Sequence, residues 1–345
     1  MHLCDTCKSD ELAAELLNES VGCLIREQGH QELSIEHLCN WVETRPNLAK
    51  ALDQALQCPI PDWRIEHAQQ RQKRSAERES EQAITNANLR KVLVEIRSGT
   101  ASPHILGFLG TAYFGHYMQC RGESRIEKLA SMIGNDEELV QASLEGFRNS
   151  LERPDLPSVD EISELYTNSE LPWLCMPCLA GADELCKSDP DNILSLNETV
   201  LERLVAFSYV YATGSDPNWL SAVQTRYPEL VGRTLVAHGS KLIRSGANHV
   251  SGIYGLAEDV EMKEIAEIAT VPLLRSFPRK APRKQEHLLE YLLKSAMNIS
   301  DQTAALKLIE QKLGGSLSVW QRIYWAGCGA LMDFGTFGDV LAGLV

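Results

Sequence analysis

Signals for amphipathic helices follow one another along almost the whole chain, and this repetition limits what the chain can fold into. Apolar residues recur at helical spacing, as at Ile126, Leu129, Ala130 and Ile133, which share one helix face. Leu, Ala and Glu, which favour helices, are abundant, while runs rich in Val, Ile and Thr are scarce. The pattern predicts an all-α fold.

Helix start and stop signals divide this pattern into segments. Ser102-Pro103 and Asp216-Pro217 each place a capping side chain before a proline. Capping boxes are predicted at three further starts, namely Asn135 with Glu138, Ser158 with Glu161, and Ser195 with Glu198. Glycines predict helix ends at Gly99, Gly214, Gly246 and Gly314.

Helices of about 12–18 residues joined by loops of about 2–6 residues favour antiparallel neighbours. The chain is therefore expected to form antiparallel helix pairs stacked as an α-solenoid of the HEAT or TPR kind. No block of sequence recurs at a fixed period, so this expectation rests on the order of the helices alone. A compact two-lobed helical protein is the alternative.

Prolines and charge divide the chain into three predicted regions. Pro59 and Pro61 end a small N-terminal helical lobe at residues 1–60, because prolines this close together disrupt a helix. Residues 61–99 predict a long charged connector helix, continuous from Trp63 to Arg97. Residues 100–345 predict the main helical array. Its last residues, 340–345, are apolar, so the array is expected to continue beyond them or to pack on a partner.

The charge is unevenly placed along the chain. The net charge is −14, and residues 123–202, the acidic middle, hold 18 acidic and 5 basic residues. Residues 271–296 hold 6 basic and 2 acidic residues. The acidic middle argues against wrapping nucleic acid, because it repels phosphates. A short basic patch stays compatible with an acidic partner.

Targeting signals are missing from the sequence as it stands. The start, Met1-His2-Leu3-Cys4-Asp5, lacks a basic segment followed by an apolar one, and no run of about 18 apolar residues predicts a membrane span. Without an export signal, the 10 cysteines are expected to be reduced thiols. A cytoplasmic location is the resulting prediction.

Motifs of known chemistry are absent. The sequence contains no H-E-x-x-H, no G-x-S-x-G and no G-x4-G-K-[ST], so no catalytic residue and no cofactor is predicted. An enzyme with an unrecognised helical active site is the alternative. It predicts a pocket with convergent polar groups and strongly shifted carboxylates or histidines.

Two C-x2-C pairs are the main candidates for metal or redox chemistry. Cys4 and Cys7 could share a zinc ion with ligands from His30, His37 or Cys39, or they are ordinary thiols. Cys175 and Cys178 lie among apolar residues, so core packing is the favoured interpretation.

One basic cluster is the candidate binding site. Its members are Arg275, Arg279, Lys280, Arg283 and Lys284. Phe277, Pro278 and Pro282 interrupt them, which predicts a loop between helices. Such a cluster can hold an acidic protein face or a phosphate group, and the alternatives are a solvated loop or pairing with the acidic middle.

Several stretches together resemble the helical C-terminal region of large uncharacterised bacterial proteins, some of which carry a NACHT-like NTPase. They are residues 61–64, Leu109-Gly110-Thr111-Ala112-Tyr113-Phe114-Gly115, residues 121–123, 134–138 and 156–159, His249 to Ala257, and Val271 to Pro278. The resemblance covers about residues 40–330 and implies a sensor or scaffold region of a signalling or defence system. The NTPase and its P-loop are absent here, so nucleotide hydrolysis is not carried over, and no catalytic residue of the family matches a position in this chain.

These observations together predict a non-enzymatic helical scaffold that mediates protein–protein interaction. Its partner would be another protein or another domain of a larger system. The basic cluster and the acidic middle are the expected contact faces. The oligomeric state is left open.

Overall fold

The fold comes from a computed structural model that describes residues 9–24, 31–56, 62–211 and 218–344. Within these residues all regular structure is helical and no strand occurs, as the sequence predicts. The α-helices in these segments are α1 (Asp10–Leu24), α2 (Gln31–Glu43), α3 (Pro46–Leu56), α4 (Asp62–Lys91), α5 (Leu93–Arg97), α6 (Pro103–Phe114), α7 (Arg125–Met132), α8 (Glu137–Asn149), α9 (Val159–Thr167), α10 (Cys175–Ser188), α11 (Pro190–Leu194), α12 (Glu198–Val210), α13 (Asn218–Arg226), α14 (Pro228–Ser245), α15 (Ile253–Glu258), α16 (Lys263–Ser276), α17 (Glu286–Asn298), α18 (Thr303–Leu313), α19 (Val319–Met332) and α20 (Phe334–Ala342). Short 3-10 turns lie at residues 150–152, 260–262 and 283–285.

The chain forms two compact units, residues 1–80 and 81–345. In the first unit, α1 and α2 both pack against α3. The apolar faces of these helices meet in a small core that includes Leu17, Val42, Leu48 and Leu52. The predicted division at residues 60 and 99 stays a prediction, and the proline break at residues 57–61 lies outside the described residues.

The second unit contains one large core. Helices α6, α8, α10 and α12 pack on one another in its first half, and α14, α16, α17 and α19 do so in its second half. Helices α9 and α12 both pack on α14 and so connect the two halves. The fully buried aromatic side chains of Tyr113, Phe147, Phe207, Trp219 and Trp325 lie at intervals along this core.

Two glycines allow helices of the second unit to approach closely. A Cβ atom at Gly146 of α8 would collide with the backbone carbonyl of Ile96. A Cβ atom at Gly181 of α10 would collide with the backbone carbonyl of Phe147. Any larger residue at either position would therefore push two helices apart.

Helix caps account for several of the boundaries. The Ser102 cap, the Ser158–Glu161 box and the left-handed Gly246 end are confirmed. The box at Asn135 is wrong, because Asn135 takes a left-handed φ of 55° and Asp136 caps α8 instead. The box at Ser195 is also wrong, because Ser195 ends α11 and the side chain of Asn197 caps α12. The predicted signals at Gly214 and Asp216-Pro217 lie outside the described residues.

The long polar segment is a helix, as its composition predicts, but it ends earlier than expected. Helix α4 covers Asp62–Lys91, and its side chains from Gln70 to Arg74 are exposed. The backbone leaves helical geometry at Val92 before α5 begins, so the predicted continuity to Arg97 is wrong. In the part of the chain that the structure describes, no helix has the length and apolar character needed to cross a bilayer.

Candidate partner-binding surface

The basic cluster lies where α16 gives way to α17, on a connection that we call the basic loop (residues 277–285). The backbone turns extended at Phe277 and again at Pro282, and a 3-10 turn at residues 283–285 leads into α17. All five predicted cations are exposed. The prediction of a position between helices is confirmed for Arg279, Lys280, Arg283 and Lys284, but it is wrong for Arg275, which lies in the last turn of α16. The role of the cluster in binding stays a prediction.

The underside of the basic loop belongs to the core. Phe277 and Ala281 are buried, and they alternate with exposed cations along the loop. Burial of the phenyl ring fixes the start of the loop, since a buried aromatic side chain contributes roughly 2–3 kcal/mol. The loop is therefore a packed surface with an apolar side and a charged side.

A buried lysine holds the point where α16 ends. The Lys312 ammonium donates to the backbone carbonyls of Phe277 at 2.5 Å and Arg275 at 3.2 Å. Its Nζ also lies 5.7 Å from the centre of the Trp325 ring. A cation at a helix C-terminus satisfies carbonyls that lack a partner within the helix. Burial, and then the nearby charge of Arg279, lowers the pKa of Lys312 to about 8.

A buried glutamine holds the middle of the basic loop. Gln321 of α19 is fully buried, and its Nε2 donates to the carbonyl of Pro278 at 2.7 Å. The backbone N–H of Ala281 donates to Gln321 Oε1 at 3.2 Å, and Ser318 Oγ donates to the same atom at 2.7 Å. One amide therefore fixes two points of the loop backbone, because each partner would otherwise be buried without a hydrogen bond.

A second buried glutamine holds the end of the basic loop against α14. Gln285 Nε2 donates to the carbonyls of Ile243 and Ala247, both at 2.9 Å. These carbonyls lie at and just beyond the last turn of α14, where intrahelical partners run out. Together, Lys312, Gln321 and Gln285 fix the loop backbone at its start, middle and end.

The cations on the outer side differ in how far they are paired. Arg279 donates to the carbonyl of Gln311 at 3.2 Å and lies directly over Gly315. Arg283 donates to Glu286 at 3.2 Å, although its own side chain is 79% exposed. Such an exposed pair contributes little. Within the described residues, the side chains of Arg275, Lys280 and Lys284 make no hydrogen bond or ion pair.

The basic loop thus presents cations on a fixed backbone, with few internal acceptors. Guanidinium and ammonium groups bind carboxylates and phosphates through charge-assisted hydrogen bonds. A fixed backbone lowers the entropy lost on binding, because the loop itself need not be ordered. The arrangement can hold an anionic surface by charge and hydrogen bonding.

A groove of about 580 Å³ lies within the acidic middle of the second unit. We call it the acidic groove, and its lining residues are Pro154, Asp155, Leu156, Pro157, Glu161, Glu164, Leu165 and Asn168. A hydrogen bond and charge from Arg153 lower the pKa of Asp155. Hydrogen bonds from Ser158, the partner in its capping box, lower the pKa of Glu161. Both carboxylates are therefore ionised at neutral pH.

A second groove, of about 760 Å³, is mixed in charge. Arg226 and Arg233 line it together with Glu198 and Glu229. Arg233 is already ion-paired with Glu198. The charges therefore largely offset one another, and this groove shows no preference for a ligand of either sign.

A partly buried charge network joins α6, α7, α8 and α10, with its carboxylates covered and Lys187 at the exposed edge. Tyr113 Oη lies 2.5 Å from Asp183 Oδ2 and 2.6 Å from Glu184 Oε1, and Lys187 Nζ donates to the same Oη at 2.7 Å. Arg125 contacts Asp183 at 2.6 Å, and Arg148 lies 3.7 Å from Glu184. Burial, then hydrogen bonds to the two carboxylates, raises the Tyr113 pKa well above its usual range. Each carboxylate in the network faces a cation.

A buried histidine lies where α9, α12 and α14 meet. His238 Nδ1 lies 2.8 Å from Ser163 Oγ, and the ring stacks on Tyr209 with centroids 5.9 Å apart. Ser163 Oγ also donates to the carbonyl of Val159 at 2.7 Å, so His238 Nδ1 carries the proton and donates to Ser163. Burial lowers the pKa of His238 to about 4. The enzyme alternative predicts such shifted groups in a pocket, but His238 lines neither of the two grooves.

The cysteine predictions have different outcomes. Cys175 and Cys178 open α10 and are both buried, and burial raises the pKa of Cys178 to about 12, so these thiols pack in the core as predicted. Cys4, Cys7 and His30 lie outside the described residues. Among the residues that are described, no group of three or more His, Cys, Asp or Glu side chains has metal-binding geometry.

The residues that hold the basic loop were not found from the sequence. From the sequence, Lys312 is expected to be a surface lysine near the end of α18, and Gln321 and Gln285 belong to no recognisable motif. A polar residue within a mainly apolar stretch of helix is the one available signal, as in the run from Val319 to Tyr324. It does not identify the partner, which lies 35–43 residues away along the chain.

Comparison with known proteins returned no match, either to protein-family models or among curated proteins and solved structures. The resemblance to helical regions of NACHT-type bacterial proteins therefore stays a prediction.

Proposed function

We propose that this chain is a non-enzymatic helical scaffold that binds an acidic protein surface through the basic loop. The observation that carries the proposal is the contrast between the two sides of the loop. Its backbone is fixed from below by Lys312, Gln321 and Gln285, while Lys280 and Lys284 point outward without a partner among the described residues. Because the loop backbone is already fixed, a partner that binds these cations loses little entropy in ordering the loop, which favours binding.

The proposed architecture of the second unit is an α-solenoid. It is supported by the succession of packed pairs α14 with α16, α16 with α17, α17 with α19, and α19 with α20. Each helix in this series packs mainly on helices near it in the chain, which is how stacked helical pairs are built. The surfaces that such stacks present are suited to binding other proteins.

The partner we propose is an acidic protein or an acidic domain of a larger signalling or defence system. Cations with no internal acceptor attract carboxylates and accelerate their encounter. Nucleic acid is disfavoured as the partner, because the net charge of −14 repels its phosphates beyond the immediate loop. The NACHT-like association comes from the resemblance alone.

A charge-reversal experiment tests this proposal. The loop variant Lys280→Glu/Lys284→Glu changes two exposed, unpaired cations. The control variant Lys263→Glu/Lys307→Glu makes the same charge change at exposed lysines on α16 and α18. Both serve as baits in affinity capture from the native host, with quantitative mass spectrometry of the captured proteins.

The expected result is that the loop variant loses acidic partners that the wild type and the control variant retain. A loss of at least about tenfold is expected, since two like charges then face an acidic surface. If the loop variant captures the same proteins in the same amounts as the wild type, the basic loop is not the binding surface.

A further inference from the structure

We infer that the basic loop docks in the acidic groove of a second copy of this chain. The inference rests on the proposed function and names one partner for the same loop. It commits to self-association because both complementary surfaces are present on the second unit.

The two surfaces flank the same end of α14. On one side, Lys241 near the end of α14 pairs with Asp160 in the first turn of α9 at 2.9 Å. Glu161, which lines the acidic groove, follows Asp160 directly in the chain. On the other side, Gln285 of the basic loop donates to the carbonyls of Ile243 and Ala247. The two contacts on α14 are therefore two to six residues apart, a rise of roughly 3–9 Å along the helix axis.

The surfaces do not neutralise each other within one copy. Among the described residues, no ion pair joins a cation of the basic loop to a carboxylate of the acidic groove. Asp155 pairs with Arg153, and Glu161 receives the N–H of Ser158, so each keeps its charge while held in place. Glu164 is exposed and its side chain is unpaired. Exposed charges of opposite sign thus remain on the same unit without pairing to each other.

This arrangement allows a reciprocal contact. When two such copies meet around a two-fold axis, each basic loop faces the other copy's acidic groove, and both contacts form at once. The groove is a concavity of about 580 Å³ lined by Asp155, Glu161 and Glu164, and the basic loop offers exposed lysine side chains that can enter it. Partners of opposite charge are complementary in electrostatics.

The test exchanges the charges of the two surfaces. The loop variant is Lys280→Glu/Lys284→Glu, and the groove variant is Asp155→Lys/Glu164→Lys. In each variant alone, loop and groove carry the same sign, so self-association should weaken at least about tenfold. In a one-to-one mixture, each loop meets a groove of opposite sign, and association should return. The readout is sedimentation velocity of the full chain, whose mass is 38.4 kDa.

Salt dependence and folding provide the controls. Dimerisation of the wild type should weaken as ionic strength rises from about 0.05 M to about 0.5 M, because exposed charges are screened. Circular dichroism of each variant checks folding, and Lys263→Glu/Lys307→Glu should dimerise like the wild type. The mixture detects a folding artefact as well, since two misfolded variants would not restore a dimer.

Three results overturn the inference. They are a wild type that is monomeric at all concentrations, a dimer that both variants leave unchanged, and a mixture that stays monomeric while each variant is folded. If the wild type is monomeric but the loop variant still loses acidic partners in affinity capture, only self-association fails and the proposed function stands. If capture is unaffected as well, both fail.

Discussion

The second unit places cations in two contrasting settings. In the partly buried charge network, Arg125, Arg148 and Lys187 face Asp183 and Glu184 around the hydroxyl of Tyr113. In the basic loop all four cations are exposed, and Lys280 and Lys284 make no side-chain hydrogen bond or ion pair among the described residues. In the network each charge meets an opposite charge, whereas in the loop the backbone is held and these two lysines are left without a partner.

The difference shows how a helical protein can use the same residue types for different ends. A buried cation needs a carboxylate or carbonyl nearby, since a buried unpaired charge is costly. Beneath the basic loop, the buried Lys312 of α18 meets that requirement by donating to the carbonyl of Phe277. Lys280 and Lys284 of the loop itself remain exposed at the surface. Pairing therefore marks charges that hold the fold, and its absence marks charges available to a partner.

Removing a carboxylate from the network should have the largest effect on stability. Glu184→Ala leaves Lys187 and Arg148 without their 2.9 Å and 3.7 Å partner. We expect a loss of about 3 kcal/mol in the free energy of unfolding, because the buried Glu184 carboxylate loses its charge-assisted hydrogen bonds with Tyr113 and Lys187, while Lys187 keeps Asp183 at 3.2 Å. Urea denaturation of the wild type and of Glu184→Ala measures this difference in the free energy of unfolding.

The matched change in the basic loop is Lys280→Glu/Lys284→Glu, which should alter the free energy of unfolding by no more than about 0.5 kcal/mol. Glu184→Gln, which keeps one hydrogen-bond acceptor, should lose an amount of stability between those of Glu184→Ala and the loop variant. Equal losses in the free energy of unfolding for Glu184→Ala and the loop variant would contradict the expected difference between the network and the loop.

Acid should add an unpaired charge to the core at His238. Its pKa is about 4 in the folded state, against about 6.5 in an unfolded chain. The unfolded state therefore binds more protons between these values, so stability is complete above pH 6.5 and is lost as the pH falls toward 4. The shift corresponds to about 3 kcal/mol.

Chemical denaturation at a series of pH values tests this expectation. The variant His238→Leu should lose that part of the pH dependence. His287→Gln, which changes an exposed histidine, should retain it. A slope between pH 6.5 and 4 that is the same in the wild type and in His238→Leu would show that other groups cause the acid sensitivity.

Releasing the backbone of the basic loop should have a smaller effect on stability than the Glu184 change, together with a large local effect. Gln321→Leu leaves the carbonyl of Pro278 and the N–H of Ala281 unpaired. We expect a loss of about 1–3 kcal/mol and faster hydrogen exchange at the Ala281 amide. Gln311→Leu, at an exposed position on α18, is the control. Unchanged exchange at Ala281 would mean that the loop does not depend on Gln321.

Local signals in the sequence were enough to predict the helical class and several boundaries. The cap at Ser158 is read correctly because donor and acceptor lie three residues apart. The errors at Asn135 and Ser195 have the same local origin, since a better capping residue, Asp136 or Asn197, follows one or two positions later. The position of the basic cluster between helices also follows from its prolines.

Contacts between distant residues could not be predicted. Tyr113 and Asp183 are 70 positions apart, and neither carries a mark that identifies the other. The same holds for Gln321 and the carbonyl of Pro278, which are 43 positions apart. Helical periodicity gives the face on which a side chain lies but not the neighbour it meets, so both the network and the support of the basic loop come from the structure alone.

The passage of Arg279 over Gly315 has an evolutionary consequence. A side chain of any size at residue 315 would occupy the space of the guanidinium and displace it from the carbonyl of Gln311. The glycine carries no charge and lies 36 positions away, yet it decides where one positive charge of the surface is placed. In diverging descendants of this chain, the two positions should therefore change together, and loss of the arginine should precede or accompany loss of the glycine.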